Sequence, residues 1–141
     1  MEVALITGFI VSIIFTFLSL VHFYWAFTGD MNKDIIIPED NDEKLFNPNA
    51  FMTSIVAIGL LLFAFIVLGN VGVFEMSSIN NLFYYGTWAI GFIFLIRAIG
   101  DFKFVGFFKS VTNTQFAYWD TRLYAPLCLT IAVLTFLTLF T

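Results

Sequence analysis

The sequence predicts an all-α membrane protein whose four transmembrane helices form an up-and-down bundle. Hydrophobic residues make up 60% of the chain and charged residues only 11%, whereas ordinary soluble domains carry about 25% charged residues. Four mainly apolar stretches are close to the ~20 residues that a helix needs to cross a bilayer. We therefore expect one four-helix domain over residues 1–141, without room for a soluble catalytic domain.

Polar or glycine-containing segments separate the four predicted spans, which we place at residues 3–27, 50–68, 82–99 and 123–140. We expect the first to be retained rather than cleaved as a signal peptide, because no basic segment precedes it and it ends in His-Phe-Tyr-Trp instead of small residues. Acidic residues and two prolines indicate a solvated loop at residues 28–49, ending in a helix start at Asn47–Asn49.

The distribution of basic residues predicts the orientation of the chain. Every Lys and Arg lies at or beside the loops of residues 28–49 and 100–122, and the termini and the connection at residues 69–81 have none. Basic residues near span ends are retained on the cytoplasmic side. We therefore predict a multi-pass protein with both loops cytoplasmic and both termini extracytoplasmic.

Most of the polar residues that accompany the spans lie at this predicted cytoplasmic end. An ionisable side chain within a span costs about 2.5–3.5 kcal/mol unless it reaches the interface or finds a partner. Arg97 and Asp101 are four residues apart, so we expect them to pair along one helix face. The predicted ligand-binding cluster consists of His22, Tyr24, Trp25, Arg97, Asp101, Asp120, Arg122 and Tyr124.

Each of these residues also has a simpler structural interpretation. Arg97 is close enough to a helix end to extend its guanidinium to the interface, and a neutral His22 can hydrogen-bond to another helix. The aromatic residues fit an interfacial belt, and Asp120 with Arg122 fits a surface pair. The convergence of all of them on one membrane face is what favours a site.

Residues 101–111 interleave phenylalanines with lysines and are too short to span a membrane. We predict that this segment lies in the interface, with its rings among acyl chains and its ammonium groups near anionic phosphates. A loop packed over the end of the bundle is the alternative. The residues assigned to the lipid interface are Phe102, Lys103, Phe104, Phe107, Phe108 and Lys109.

The residue inventory limits the chemistry. Cys128 is the only cysteine and His22 the only histidine, so paired-thiol redox chemistry, a four-cysteine metal site and bis-histidine haem ligation within the chain are excluded. We predict no metal and no cofactor. The net charge of −4 comes mainly from one acidic loop and gives no reason to expect a nucleic-acid partner.

Four stretches carry a resemblance to a known family: HFYWAF, LFNPNAF, RAIGDFKFVGFFK and TQFAYWDTRLYAPLCL. In these motifs the chain resembles an uncharacterised family of small bacterial four-helix integral membrane proteins, over essentially its whole length. The resemblance implies the fold and a bacterial cell membrane, but no activity. The chain departs from the family in having FTGD where a Gly-Gly pair is usual, and Ala125 where Ser usually precedes the proline.

Two function classes remain open. The first is a non-enzymatic membrane protein whose cytoplasmic-side pocket binds an anionic small molecule or lipid headgroup, in transport or as a subunit of a membrane assembly. The second is a membrane-embedded enzyme acting on a lipidic substrate, with His22 or Asp120 as general acid or base. The expected partners are the bilayer, an anionic lipid or small anion, and a second copy or another membrane protein.

Overall fold

The computed structural model describes residues 1–141 and confirms the all-α, four-helix architecture. Its four long helices are α1 (Glu2–Thr28), α3 (Ala50–Asn70), α4 (Asn80–Ile99) and α6 (Ala125–Phe140). The shorter elements are α2 (Lys33–Ile36), α5 (Gln115–Trp119) and a hairpin of β1 (Glu39–Asp40) and β2 (Glu43–Lys44). A 3₁₀ turn at Ser77–Ile79 leads into α4, and a π-helical turn at Asp120–Tyr124 joins α5 to α6.

The four long helices form a ring in which each packs mainly against two neighbours. α1 packs mainly against α3 and also against α6, while α4 packs mainly against α6 and also against α3. The two ends of the chain meet, and the Met1 ammonium donates a hydrogen bond to the Thr141 carbonyl at 3.0 Å. We call this end of the bundle the terminus face, and the opposite end, with residues 29–49 and 100–114, the loop face.

Both aromatic packing and interhelical hydrogen bonds join the helices at the centre of the bundle. The fully buried ring of Phe15 lies 5.3 Å from the ring of Phe94, centroid to centroid. The buried Ser19 hydroxyl donates to the Ala57 carbonyl at 2.7 Å, which ties α1 to α3. Lipid tails are as apolar as leucine, so close packing and such bonds provide the association between membrane helices.

The outer surface of the bundle is also apolar. Large side chains such as Ile13, Phe17 and Leu20 are exposed along α1. Contiguous apolar surface of this extent marks contact with lipid rather than with water. Four helical segments are long and apolar enough to cross a bilayer: Glu2–Thr28, Ala50–Asn70, Ser77–Ile99 and Gln115–Phe140. The chain therefore has the architecture of a multi-pass membrane protein.

The helical segment of the fourth span begins at Gln115, eight residues before the predicted span at residue 123. The Thr114 side chain caps α5 by accepting a hydrogen bond from the Ala117 N–H at 3.0 Å. Pro126 has no N–H, and its ring would clash with the carbonyl of Arg122 in a regular α-helix. The wider π-helical turn, in which the Ala125 N–H donates to the Asp120 carbonyl, accommodates the proline without ending the helix.

The first loop is more ordered than the sequence indicates. The predicted helix start is confirmed, because the Asn49 side chain caps α3 by accepting from the Met52 N–H at 2.9 Å. The Tyr124 hydroxyl donates to the Ile35 carbonyl at 2.9 Å and anchors the loop to the fourth span. Hydrogen bonds to Glu39 and then Asp34 raise the pKa of Lys44 above its ordinary value.

Candidate functional site

A buried carboxylate lies at the centre of the loop face. The Asp120 side chain is 0% exposed, and Lys109 is nearly as deeply buried at 2%. Arg97 Nη2 donates to Asp120 Oδ1 at 3.0 Å, while Lys109 Nζ and the Gly106 N–H donate to Oδ2 at 3.2 and 2.7 Å. Lys109 also donates to the Gly106 carbonyl at 3.0 Å and to the Thr121 hydroxyl. We call Arg97, Lys109, Asp120 and the Gly106 backbone the Asp120 cluster.

Two glycines allow the loop after α4 to fold back onto the helix end. Gly100 and Gly106 have φ of 90° and 88°, in the region that favours glycine. A Cβ on Gly106 would lie 2.5 Å from the Gly100 Cα, and one on Gly100 would overlap the Val105 carbonyl. The Phe107 N–H donates to the Ala98 carbonyl at 2.9 Å and closes the loop. This closure presents the Gly106 N–H to Asp120.

Asp101 organises the interior of the same loop. Its Oδ1 accepts the N–H groups of Lys103, Phe104 and Val105 at 3.0, 2.8 and 3.0 Å. Partial desolvation favours the neutral carboxyl, but the three backbone donors together outweigh it and lower the pKa of Asp101. Asp101 therefore acts as an internal cap for loop N–H groups.

The predicted Arg97–Asp101 pair is wrong, because Arg97 pairs with Asp120 while Asp101 Oδ1 accepts three backbone N–H groups. The predicted outward direction of both lysines is correct only for Lys103, whose side chain is 59% exposed and lies 4.7 Å from the Phe104 ring centroid. Lys109 turns inward. A buried carboxylate needs cationic and N–H partners within reach, and the folded loop brings Lys109 to it.

The other cluster candidates make separate contacts. The Tyr24 hydroxyl donates to Asp30 Oδ2 at 3.2 Å, and the Arg122 guanidinium lies 4.2 Å from the Tyr118 ring centroid. Tyr124 bonds to the first loop, as described above. None of these three side chains, nor that of His22 or Trp25, makes a hydrogen bond or ion pair with the Asp120 cluster.

His22 and Trp25 instead line a pocket of about 250 Å³ between the end of α1, the first loop and the start of α3. Their ring centroids are 5.1 Å apart in an edge-to-face arrangement. Met31, Ile37 and Met52 contribute to its walls. The structure therefore divides the predicted site into the Asp120 cluster and this mainly apolar cavity, which we call the His22 pocket.

Exposed aromatic side chains lie on the same loop as Gly106 and Lys109. Phe102 and Phe108 are largely exposed, with ring centroids 6.4 Å apart, and Phe107 is also exposed. Phe104 is half-buried beneath Lys103. Residues 101–111 form neither helix nor strand, so these rings project from a folded-back loop.

The Asp120 cluster is not electrically neutral. It contains two cations and one carboxylate, and the Arg97 side chain is 33% exposed. Arg97 Nη1 is shielded and has no hydrogen-bond acceptor in the chain. The arrangement can therefore offer a guanidinium N–H and a positive charge to an anionic group. No group of three His, Cys, Asp or Glu side chains is placed to hold a metal ion.

Fold and site together define a small multi-pass membrane protein with a buried ion cluster at one end of a four-helix bundle. The chain belongs to the family described as "Protein of unknown function (DUF3995)", whose model matches residues 15–135. This confirms the uncharacterised family that the motifs indicated. No curated protein and no solved structure matches the chain.

Several site residues were not identified from the sequence. The alternation of lysines and phenylalanines predicts Lys109 at the lipid interface, and no motif indicates the Gly106 N–H as a donor. The usable signal was the pair of glycines at 100 and 106 around Asp101, since glycines bracketing a short loop after a helix indicate a tight reversal. The pocket walls in the first loop carry no motif that would have shown their proximity to His22.

Proposed function

We propose that this chain is a non-enzymatic membrane protein that binds the phosphate of an anionic lipid headgroup, or a small anion of the same chemistry, at the Asp120 cluster. Such a contact would serve transport or attachment within a larger membrane assembly. The observation that carries the proposal is the surplus cation, with Arg97 partly exposed and its Nη1 without an acceptor.

The energetics of Arg97 favour an incoming acceptor. A buried N–H without a partner costs about 1–3 kcal/mol, and a guanidinium matches a phosphate group through paired donors. A phosphate oxygen beside Arg97 would relieve this cost without disturbing the bond between Nη2 and Asp120. The proposal therefore uses a guanidinium nitrogen that has no acceptor within the fold.

The surroundings of the cluster fit a lipid as the source of the phosphate. Two further cations lie at the same face, namely Lys103, whose Nζ is 4.0 Å from Asp40 Oδ2, and Arg122. Phe102 and Phe108 are exposed on the same loop as Lys103 and fit among acyl chains. We infer from the basic residues that this face is cytoplasmic, where anionic lipids create a negative surface potential.

Catalysis on a lipidic substrate is less well supported. Both Asp120 oxygens already accept hydrogen bonds, Oδ1 from Arg97 and Oδ2 from Lys109 and the Gly106 N–H, so neither is a free base. No carboxylate lines the His22 pocket to orient the imidazole as in an acid–base pair.

Thermal unfolding in neutral detergent tests the proposal. We expect phosphatidylglycerol to raise the Tm and an equal amount of phosphatidylcholine to have little effect, with the rise decreasing at high salt. Inorganic phosphate is the third addition, and a rise in Tm with phosphate but not with either lipid would identify a free anion as the ligand. Equal responses to the two lipids, without a response to phosphate, would contradict anion binding.

A matched pair of variants locates the contact. Arg97→Lys keeps a cation for Asp120 but removes the free nitrogen, so the rise with phosphatidylglycerol, measured from the variant's own lipid-free Tm, should fall to the phosphatidylcholine level. Lys33→Gln removes an exposed lysine of the other loop and should keep the full rise. A full rise in Arg97→Lys would place the anion elsewhere.

A further inference from the structure

One contact determines which ring nitrogen of His22 donates a hydrogen bond and which can accept one. His22 Nδ1 lies 2.7 Å from the carbonyl oxygen of Leu18, one turn earlier in α1. A carbonyl can only accept, so Nδ1 carries the hydrogen. In the neutral imidazole the proton is then absent from Nε2, which presents a lone pair on the edge of the ring far from the helix backbone.

Besides this lone pair, the lining includes the Trp25 indole and the Thr53 hydroxyl, whose hydrogen goes to the Asn49 carbonyl, and the other walls are apolar. Met31 and Ile37 come from the first loop, and Met52 and Val56 come from α3. The structure records no intramolecular hydrogen bond to Nε2. The complementary ligand is therefore apolar and has one O–H donor.

The position and size of the pocket narrow the ligand class. His22 precedes the end of α1 by about six residues, which places it roughly 9 Å below the helix end. The volume of about 250 Å³ corresponds to roughly eight water-sized groups at ~30 Å³ each. This space holds one substituted ring or a short branched chain, and a longer tail would have to extend into the lipid.

We propose that the His22 pocket binds the hydroxyl-bearing head of a membrane-soluble phenol or alcohol, with the O–H donating to His22 Nε2. Met31, Ile37 and Met52 would enclose its apolar part. A neutral ligand distinguishes this pocket from the anion contact at the Asp120 cluster, so either proposal can fail without the other. A carbonyl or ether ligand, which has no donor, would leave the lone pair unmatched.

Because His22 is the only histidine, ¹⁵N-histidine labelling gives a single imidazole and an unambiguous readout. The protein is placed in phosphatidylcholine nanodiscs at pH 8, and the probe is 4-ethylphenol. We expect a saturable shift of the Nε2 resonance with little change at Nδ1. The matched probe 4-ethylanisole has a methyl ether in place of the hydroxyl and should bind about two- to tenfold more weakly, the value of one hydrogen bond.

Two variants on α3, one at the pocket wall and one outside the pocket as its control, test whether the probe binds in the pocket. Val56→Trp adds bulk at the pocket wall and should abolish the Nε2 response, while Ile58→Trp adds the same bulk at an exposed position outside the pocket and should preserve it. An unchanged Nδ1 signal reports that α1 remains folded in both. The proposal is overturned if the phenol causes no saturable Nε2 shift, if phenol and anisole bind equally, or if the response survives Val56→Trp.

Discussion

The contribution of a buried charge to the free energy of unfolding can be measured at the Asp120 cluster by replacing its members one at a time. Asp120→Asn keeps the shape of the side chain but leaves Arg97 and Lys109 facing a neutral amide. Removing one partner of a buried ion pair costs about 3–5 kcal/mol. Lys109→Met leaves Asp120 with Arg97 and the Gly106 N–H, at 3.0 and 2.7 Å. We expect a smaller loss of about 1–3 kcal/mol for this variant.

The matched control is Lys103→Met, which removes a lysine that is 59% exposed and should change the free energy of unfolding by less than about 0.5 kcal/mol. In the double variant Asp120→Asn/Lys109→Met only Arg97 remains, and it can turn to the interface. The free energy of unfolding of the double variant should therefore decrease by less than the sum of the two single decreases, the difference being about 0.5–3 kcal/mol.

Thermal unfolding in detergent is the assay. At roughly 4 °C per kcal/mol, we expect the Tm to fall by about 12–20 °C for Asp120→Asn, by about 4–12 °C for Lys109→Met and by no more than about 2 °C for Lys103→Met. If Lys103→Met and Lys109→Met behave alike, or if Asp120→Asn is the milder of the two cluster variants, Asp120 is not the anion that compensates the buried lysine.

Three further predictions concern the loop backbone, its acid sensitivity and the orientation of the chain. Gly106→Ala should prevent stable folding, because φ is 88° and a Cβ would lie 2.5 Å from a backbone carbon, whereas Gly59→Ala, with nothing within 4 Å, should leave the Tm unchanged. The lowered pKa of Asp101 means that its carboxylate stabilises the fold fully above the unfolded value of about 3.9. The Tm advantage of wild type over Asp101→Asn should hold from pH 7 to 5 and shrink as the pH falls below 4, and a constant difference down to pH 3 would argue against this. On a cysteine-free background, Ser77→Cys should react with an impermeant reagent in intact cells while Asn41→Cys is protected, and the reverse pattern would invert the topology.

The presence of four spanning helices could be predicted because each depends on local composition. A run of about 20 apolar residues satisfies its backbone hydrogen bonds internally wherever it lies in a bilayer. The cap at Asn49 is equally local, since the side chain bonds to an N–H three residues later. The sequence does not show that the helix of the fourth span continues from Gln115 through Pro126, because that depends on the π-helical turn.

What the sequence by itself determined is therefore the class of protein, the four helices and the face where polar residues collect. The partners of those residues were decided by the tertiary structure. Arg97 has an acidic residue four positions away, yet it pairs with Asp120, 23 positions along the chain. That choice depends on two positive-φ glycines, which fold Lys109 and the Gly106 N–H inward, and on a wide helical turn that buries Asp120. His22 lies apart from this cluster because its wall partners come from the first loop and α3. Charges pair by proximity in space, and that proximity arises only when the loops close over the bundle.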